Sequence, residues 1–187
     1  MKKHEAIFLD RDGTINEEVD YLCSLDQLRI FPVTAAAVRL INEAGMKTVV
    51  VTNQSGVARG FFDEAFIATV HDRIAESLEK EGARIDRFYY CPHHPTEGMP
   101  PYRRECDCRK PKPGMLLRAA EELHIDLTGS YVIGDSKRDI DMAEAVGAQG
   151  ILVRTGHGDR YHEPGNAVHI ADDILEAVAW IMRNRQP

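Results

Sequence analysis

The sequence has no apolar run long enough to cross a bilayer: stretches such as KTVVVT at 47–52 fall far short of the roughly 20 residues a spanning helix needs. It has no excess of basic charge either. Lys and Arg number 23 against 30 Asp and Glu, a net charge of −7, which argues against a protein that coats nucleic acid with a positive face. No apolar h-region precedes the first acidic residues of MKKHEAIFLD, so no signal peptide is expected. A cytoplasmic, monomeric protein with neither a membrane nor a nucleic-acid partner is the expectation. Internal repeats and disordered composition are also missing. With so little positive charge overall, an anionic substrate would have to be held by a few local Lys and Arg side chains.

What is present fits one domain over 1–187, long enough to bury a full core. Continuous apolar runs at 6–9 (AIFL), 47–52 (KTVVVT), 87–90 (RFYY), 131–134 (YVIG) and 150–154 (GILVR) read as strands covered on both faces. Between them TAAAVRLINEAG, DEAFIATVHDRIAESLEKEG, PGMLLRAAEELHI and KRDIDMAEAVGA carry helical spacing, and DDILEAVAWIMRNR closes the chain. Asp63 is placed as an N-cap and Gly82 as a stop. This alternation predicts an α/β fold, a doubly wound, mainly parallel sheet with helices on both faces. One proline-rich segment, 92–113, is too long for an ordinary connector.

In such a sheet ligands bind beyond the carboxyl ends of the strands. Asp10 and Asp12 follow the first strand, Thr52, Asn53, Gln54 and Ser55 the second, and Asp135 the fourth. Two carboxylates one residue apart at the end of a buried strand repel each other and lose hydration, so something must compensate. Hard oxygen ligands from separate strand ends suit Mg2+, with Asp10, Asp12 and Asp135 as the ligand set.

Three of the four cysteines cluster, and in a reducing compartment such a cluster reads as a metal site before a disulfide framework. Cys91-x-His93 and Cys106-x-Cys108 form two short chelating arms in a loop at 91–108. Four N and S ligands leave no open position, so a tetrahedral Zn2+ here is structural. His94 competes with His93, which the mirrored spacing favours. Arg109 and Lys110 directly follow the last ligand, so the metal would fix two cations at the mouth of the site. Cys23 reads as a small apolar residue and Trp180 as a packing residue. His71, His124 and His169 carry no assigned role.

DRDGT, TNQSG, the KP of RKPKPG and GDSKRD, in that order from Asp10 to Asp139, resemble the four motifs of the haloacid dehalogenase-like phosphotransferases. The resemblance implies that Asp10 is the nucleophile that forms an aspartyl-phosphate and Asp12 the general acid and then base. It implies that Mg2+ bridges the Asp10 carboxylate, the Asp12 carbonyl and Asp135, and that Thr52 and Lys110 hold phosphoryl oxygens. Asp139 could hydrogen-bond Lys110 or a metal-bound water, or serve as a helix N-terminal charge. No long insertion separates the motifs, so no large cap domain is expected.

Within the superfamily, FLDRDGTIN, VVVTNQSGVARG, YYCPHHP, CDCRKPKPGML and VRTG are similar to the heptose bisphosphate phosphatases of nucleotide-activated heptose and lipopolysaccharide biosynthesis. That similarity implies a small phosphorylated sugar as substrate, contacted by Glu18, Val19, Asp20 and Tyr21, by Asn53, Gln54 and Ser55, and by Arg109, whose planar fork suits a second phosphate. Histidinol-phosphate phosphatases share the Asp motifs and the zinc loop and are the rival. A non-catalytic zinc-loop interaction module on a degenerate phosphatase fold is the alternative of another class.

Overall fold

The computed structural model describes residues 3–160 and 165–185. Six strands form one sheet: β1 (Ala6–Leu9), β2 (Lys47–Asn53), β3 (Arg87–Cys91), β4 (Tyr131–Gly134), β5 (Gln149–Val153) and β6 (His169–Ala171). Their order is β3-β2-β1-β4-β5-β6, and every neighbouring pair is parallel. The chain therefore starts in the middle and winds outward in both directions. The order reverses beside β1, which puts the switch point between β1 and β4.

Five helices cover the sheet: α1 (Thr34–Glu43), α2 (Glu64–Glu79), α3 (Gly114–Leu123), α4 (Lys137–Glu144) and α5 (Ile174–Asn184). Alternate residues of a strand face opposite ways, and β1 shows the result. Ile7 and Leu9 join one core with α1, α2 and α5, while Ala6 and Phe8 join a second core with α3 and α4. Both faces are buried, which is why these strands read as unbroken apolar runs rather than alternating ones.

Local signals fix the helix ends. The Asp63 carboxylate accepts the Phe66 N–H at 2.8 Å and caps α2, and Gly82 stops the chain beyond it with φ +75°. Trp180 packs partly buried against the first core, and His169 stacks on it at 4.8 Å. His71 is buried in α2, stacked on Phe88 at 4.5 Å. Cys23, expected to act as a small apolar residue, is exposed. Among the described residues no helix is long and apolar enough to cross a membrane. Among the described residues no cap domain is inserted between β1 and α1 or between β2 and α2.

Candidate active site

At that edge lies a cavity of about 380 Å3, lined by Asp10, Asp12, Glu18, Asp20, Tyr21, Thr52, Asn53, Gln54, Ser55, Arg109, Lys110 and Asp135. The groups expected from sequence therefore converge, with one exception. Val19 lies outside this cavity, and its apolar side chain packs against the core instead.

Lys110 is the electrostatic centre. Its Nζ lies 2.7 Å from Asp10 Oδ1 and 2.6 Å from Asp139 Oδ1, and it also donates to the Val51 carbonyl at 3.1 Å. Burial pushes the ammonium toward losing its proton, but the two carboxylates outweigh that and hold it above an ordinary lysine. The lysine backbone is clamped as well. Asn53 Oδ1 accepts the Lys110 N–H at 3.0 Å, and Asn53 Nδ2 donates to the Lys110 carbonyl at 3.2 Å. Asn53 thus fastens the end of β2 to the end of the cysteine loop.

Asp139 is fully buried and reaches back to Ser136, the N-cap of α4, to complete a capping box. Its Oδ2 accepts from the Ser136 hydroxyl at 2.6 Å and the Ser136 N–H at 3.2 Å, while Oδ1 takes Lys110. Both oxygens are occupied, so Asp139 orients the lysine and the helix end together.

Asp12 is held by three partners. Arg11 donates Nη2 to Oδ2 at 2.8 Å and Nε to Oδ1 at 3.1 Å, Asn16 donates to Oδ1 at 2.9 Å, and Gln54 donates to Oδ2 at 2.8 Å. Burial acts to raise the Asp12 carboxyl, but Arg11 and these hydrogen bonds win and hold it below the ordinary value. Arg11 is only 1 % exposed, and sequence reasoning assigned it nothing. A guanidinium between two aspartates in DRDGT was the available signal. The Gln54 amide also donates to Thr52 Oγ1 at 2.8 Å, so Gln54 ties the general-acid candidate to the hydroxyl at the end of β2.

Asp135 sits in a cradle of backbone. A Cβ on Gly13 or on Gly156 would lie 2.2 Å from its Oδ2, and both glycines have positive φ. Its Oδ2 accepts the His157 N–H at 2.8 Å. Burial first, and the like charge of Asp139 with it, raise the Asp135 carboxyl. Asp10 is raised by burial and by Asp139 and Asp135, against the opposing pull of Lys110. The cluster of Asp10, Asp135 and Asp139 holds three carboxylates against one ammonium, an excess equal to the charge of one divalent cation. With Asp139 occupied, Asp10 and Asp135 are the carboxylates free to take the ion. The Asp12 carbonyl accepts no hydrogen bond among the described residues, so this donor set of hard oxygens fits Mg2+.

The second cluster lies where β3 ends. Cys91 Sγ is 3.5 Å from Cys106 Sγ and 3.7 Å from His93 Nδ1, while Cys108 Sγ is 3.4 Å from both Cys106 Sγ and His93 Nδ1. A tetrahedral Zn2+ with Zn–S near 2.3 Å needs neighbouring sulfurs about 3.7 Å apart, so the four groups fit it. His94 points elsewhere, its Nδ1 accepting the Glu97 N–H at 2.9 Å. The loop is anchored from both sides. Glu64, at the start of α2, accepts the hydroxyls of Tyr90 and Tyr102 at 2.6 Å each, and Arg109 donates to the His93 carbonyl at 3.1 Å.

Arg59, Arg138 and His157 also line the cavity without a role assigned from sequence, as does His94, which the sequence offered only as the rival zinc ligand. Arg59 and His94 lie inside VVVTNQSGVARG and YYCPHHP and Arg138 inside GDSKRD, while His157 falls just beyond VRTG.

A HAD-hydrolase-like family model matches residues 107–177. The chain is 46% identical to the D-glycero-beta-D-manno-heptose-1,7-bisphosphate 7-phosphatase of Escherichia coli K12, covering all of this chain and 98% of that protein. It is 43% identical to the enzyme of the same name from Pseudomonas putida, over 91% of this chain and 95% of the relative. Among solved structures, the D,D-heptose 1,7-bisphosphate phosphatase from B. bronchiseptica, complexed with magnesium and phosphate, matches with a TM-score of 0.84 at 33% identity, covering 96% of this chain and 98% of that one. The chain belongs to the family of D-glycero-beta-D-manno-heptose-1,7-bisphosphate 7-phosphatases, HAD-like phosphomonoester hydrolases.

Proposed function

We propose that this chain removes the 7-phosphate of the β anomer of D-glycero-D-manno-heptose 1,7-bisphosphate, the compound in its relatives' names, through an aspartyl-phosphate, in nucleotide-activated heptose synthesis. The observation that carries the reading is the buried Asp10 carboxylate on the cavity floor, held by Lys110 and backed by Asp135. Asp10 attacks the phosphorus, and the bond from phosphorus to the sugar oxygen breaks. The Asp12 carboxyl gives that oxygen its proton. Asp12, now a carboxylate, takes a proton from water as the water oxygen attacks the phosphorus. The Asp10–phosphate bond then breaks, releasing inorganic phosphate.

Arg11, Asn16 and Gln54 favour the ionised Asp12 that the second step needs. An incoming phosphate dianion raises Asp12 by like-charge repulsion toward the protonated form that the first step needs. Lys110 and Thr52 hold phosphoryl oxygens. Asp10, Asp135 and the Asp12 carbonyl would hold Mg2+, which when bound screens the anionic nucleophile from the anionic phosphoryl group. Cys91, His93, Cys106 and Cys108 would hold a structural Zn2+.

Phosphate release with Mg2+ present, from the β and α anomers of heptose 1,7-bisphosphate and from histidinol phosphate, tests the substrate. A preference for the β anomer supports the reading, and a preference for histidinol phosphate overturns it. Asp10→Asn abolishes turnover if Asp10 is the nucleophile; a variant that turns over normally shows that the nucleophile is another group and rejects the aspartyl-phosphate at Asp10.

A further inference from the structure

The cations at the cavity are unequally matched by carboxylates. Lys110 pairs with Asp10 and Asp139, Arg11 with Asp12, and Arg59 with Glu97. Arg109 and Arg138 line the same cavity, and among the described residues neither has a carboxylate partner. Arg109 is pinned through Nη1 to the His93 carbonyl at 3.1 Å. Arg138 stands exposed in the first turn of α4, two residues after its cap Ser136, and makes no hydrogen bond among the described residues.

Arg138 is a positive side chain in the first turn of a helix, where it opposes the helix dipole. Two unneutralised guanidiniums on different elements, facing one polar cavity, make a fork for an anion. The reacting end is already furnished for the transferred group by Asp10, Thr52 and Lys110, so this fork serves a second anionic group.

We propose that Arg138, with Arg109, grips the phosphate that is not removed, which makes Arg138 a residue that selects bisphosphate over monophosphate substrates. The proposal rests on the sugar-bisphosphate reading above.

The test compares wild type with Arg138→Gln and Arg138→Lys on heptose 1,7-bisphosphate and on 4-nitrophenyl phosphate, and measures inhibition of the latter reaction by fructose 1,6-bisphosphate and by fructose 6-phosphate. In Arg138→Gln, KM for the heptose bisphosphate rises about tenfold or more, with a much smaller change in kcat. The effect on 4-nitrophenyl phosphate is several times weaker, and the melting temperature is equal or higher. Arg138→Lys recovers part of the KM loss. Wild type is inhibited better by the bisphosphate than by the monophosphate, and Arg138→Gln narrows that gap. Equal losses on both substrates, an unchanged KM for the bisphosphate, or a wild type with no preference for the bisphosphate inhibitor each overturn the proposal. A wild type inert toward heptose bisphosphate, whose inhibitor preference still disappears in Arg138→Gln, rejects the heptose substrate and keeps the fork.

Discussion

Lys110 Nζ stands 2.7 Å from Asp10 Oδ1, with the lysine 4 % and the aspartate 8 % exposed. An ion pair this deep is kept because either partner alone would be a buried, uncompensated charge. Lys110→Met leaves Asp10 and Asp139 facing each other without a cation. The expected loss is about 3–5 kcal/mol of stability together with nearly all activity. The penalty grows with pH, because at low pH the stranded carboxylates can protonate. Adding Asp139→Asn to Lys110→Met removes one stranded charge and recovers part of the stability but none of the turnover. Denaturant unfolding of wild type and the two variants at two pH values measures this, and a Lys110→Met protein within about 1 kcal/mol of wild type contradicts it.

Gln54 separates positioning from binding. Its amide donates to Asp12 and to Thr52 at 2.8 Å each, so Gln54→Leu frees the Asp12 carboxylate to turn toward Arg11 and leaves Thr52 unheld. We expect kcat to fall about 10- to 100-fold with KM changed by less than about threefold, since proton transfer depends on geometry before affinity. Because Gln54 acts through Asp12, the double variant with Asp12→Asn should be scarcely worse than Asp12→Asn alone. Steady-state kinetics on the four proteins decide it. Additive losses would assign Gln54 a direct contact with substrate instead.

The metal of the cysteine loop is expected to act at a distance. Arg109 and Lys110 follow Cys108 directly, and Arg109 also bonds the carbonyl of His93, so the four-ligand cluster sets where both cations stand. Elemental analysis should find about one Zn2+ per chain. Stripping it with a chelator lowers the melting temperature and raises KM before it abolishes turnover, because Asp10 and Asp12 are carried by β1 and not by the loop. A zinc-free protein with unchanged kinetics and melting temperature excludes this role.

Much of this architecture was legible in the chain because it depends on local patterns. The strands β1 and β4 end where apolar runs meet Asp10 and Asp135, and parallel pairing then forces those ends together. The edge strand β6 was not legible, since His169–Ala171 is three residues long with only Ala171 buried. The buried guanidinium of Arg11 exists only because Asp12 and the tertiary fold accept it, and nothing in residue type marks an arginine as internal. Asn53 and Gln54 line the cavity as the sequence leads one to expect, but their amides also hold Lys110, Asp12 and Thr52, partners that are distant in sequence or only fixed by the turn after β2. Arg138 stands out only once its neighbours are seen to lack a carboxylate for it.

Glu18 links the site to pH. Burial first, and the charge of Asp12 after it, raise its carboxyl from 4.5 to about 7, and it lies 3.9 Å from His157 Nε2. A folded-state value above the unfolded one means that the folded protein keeps a proton the free chain has released. The stabilisation is fully present below about pH 4.5 and is lost as pH rises through about 7. Glu18→Gln should therefore melt close to wild type under acidic conditions and above it in mildly alkaline buffer, when both proteins are free of Mg2+. Bound Mg2+ favours the ionised carboxylate through its own charge, so adding the ion should narrow the alkaline gap between the two proteins. Thermal unfolding across pH, with and without Mg2+, measures both effects. A Glu18→Gln protein whose melting temperature tracks wild type at every pH would show that Glu18 ionises as it does in the unfolded chain.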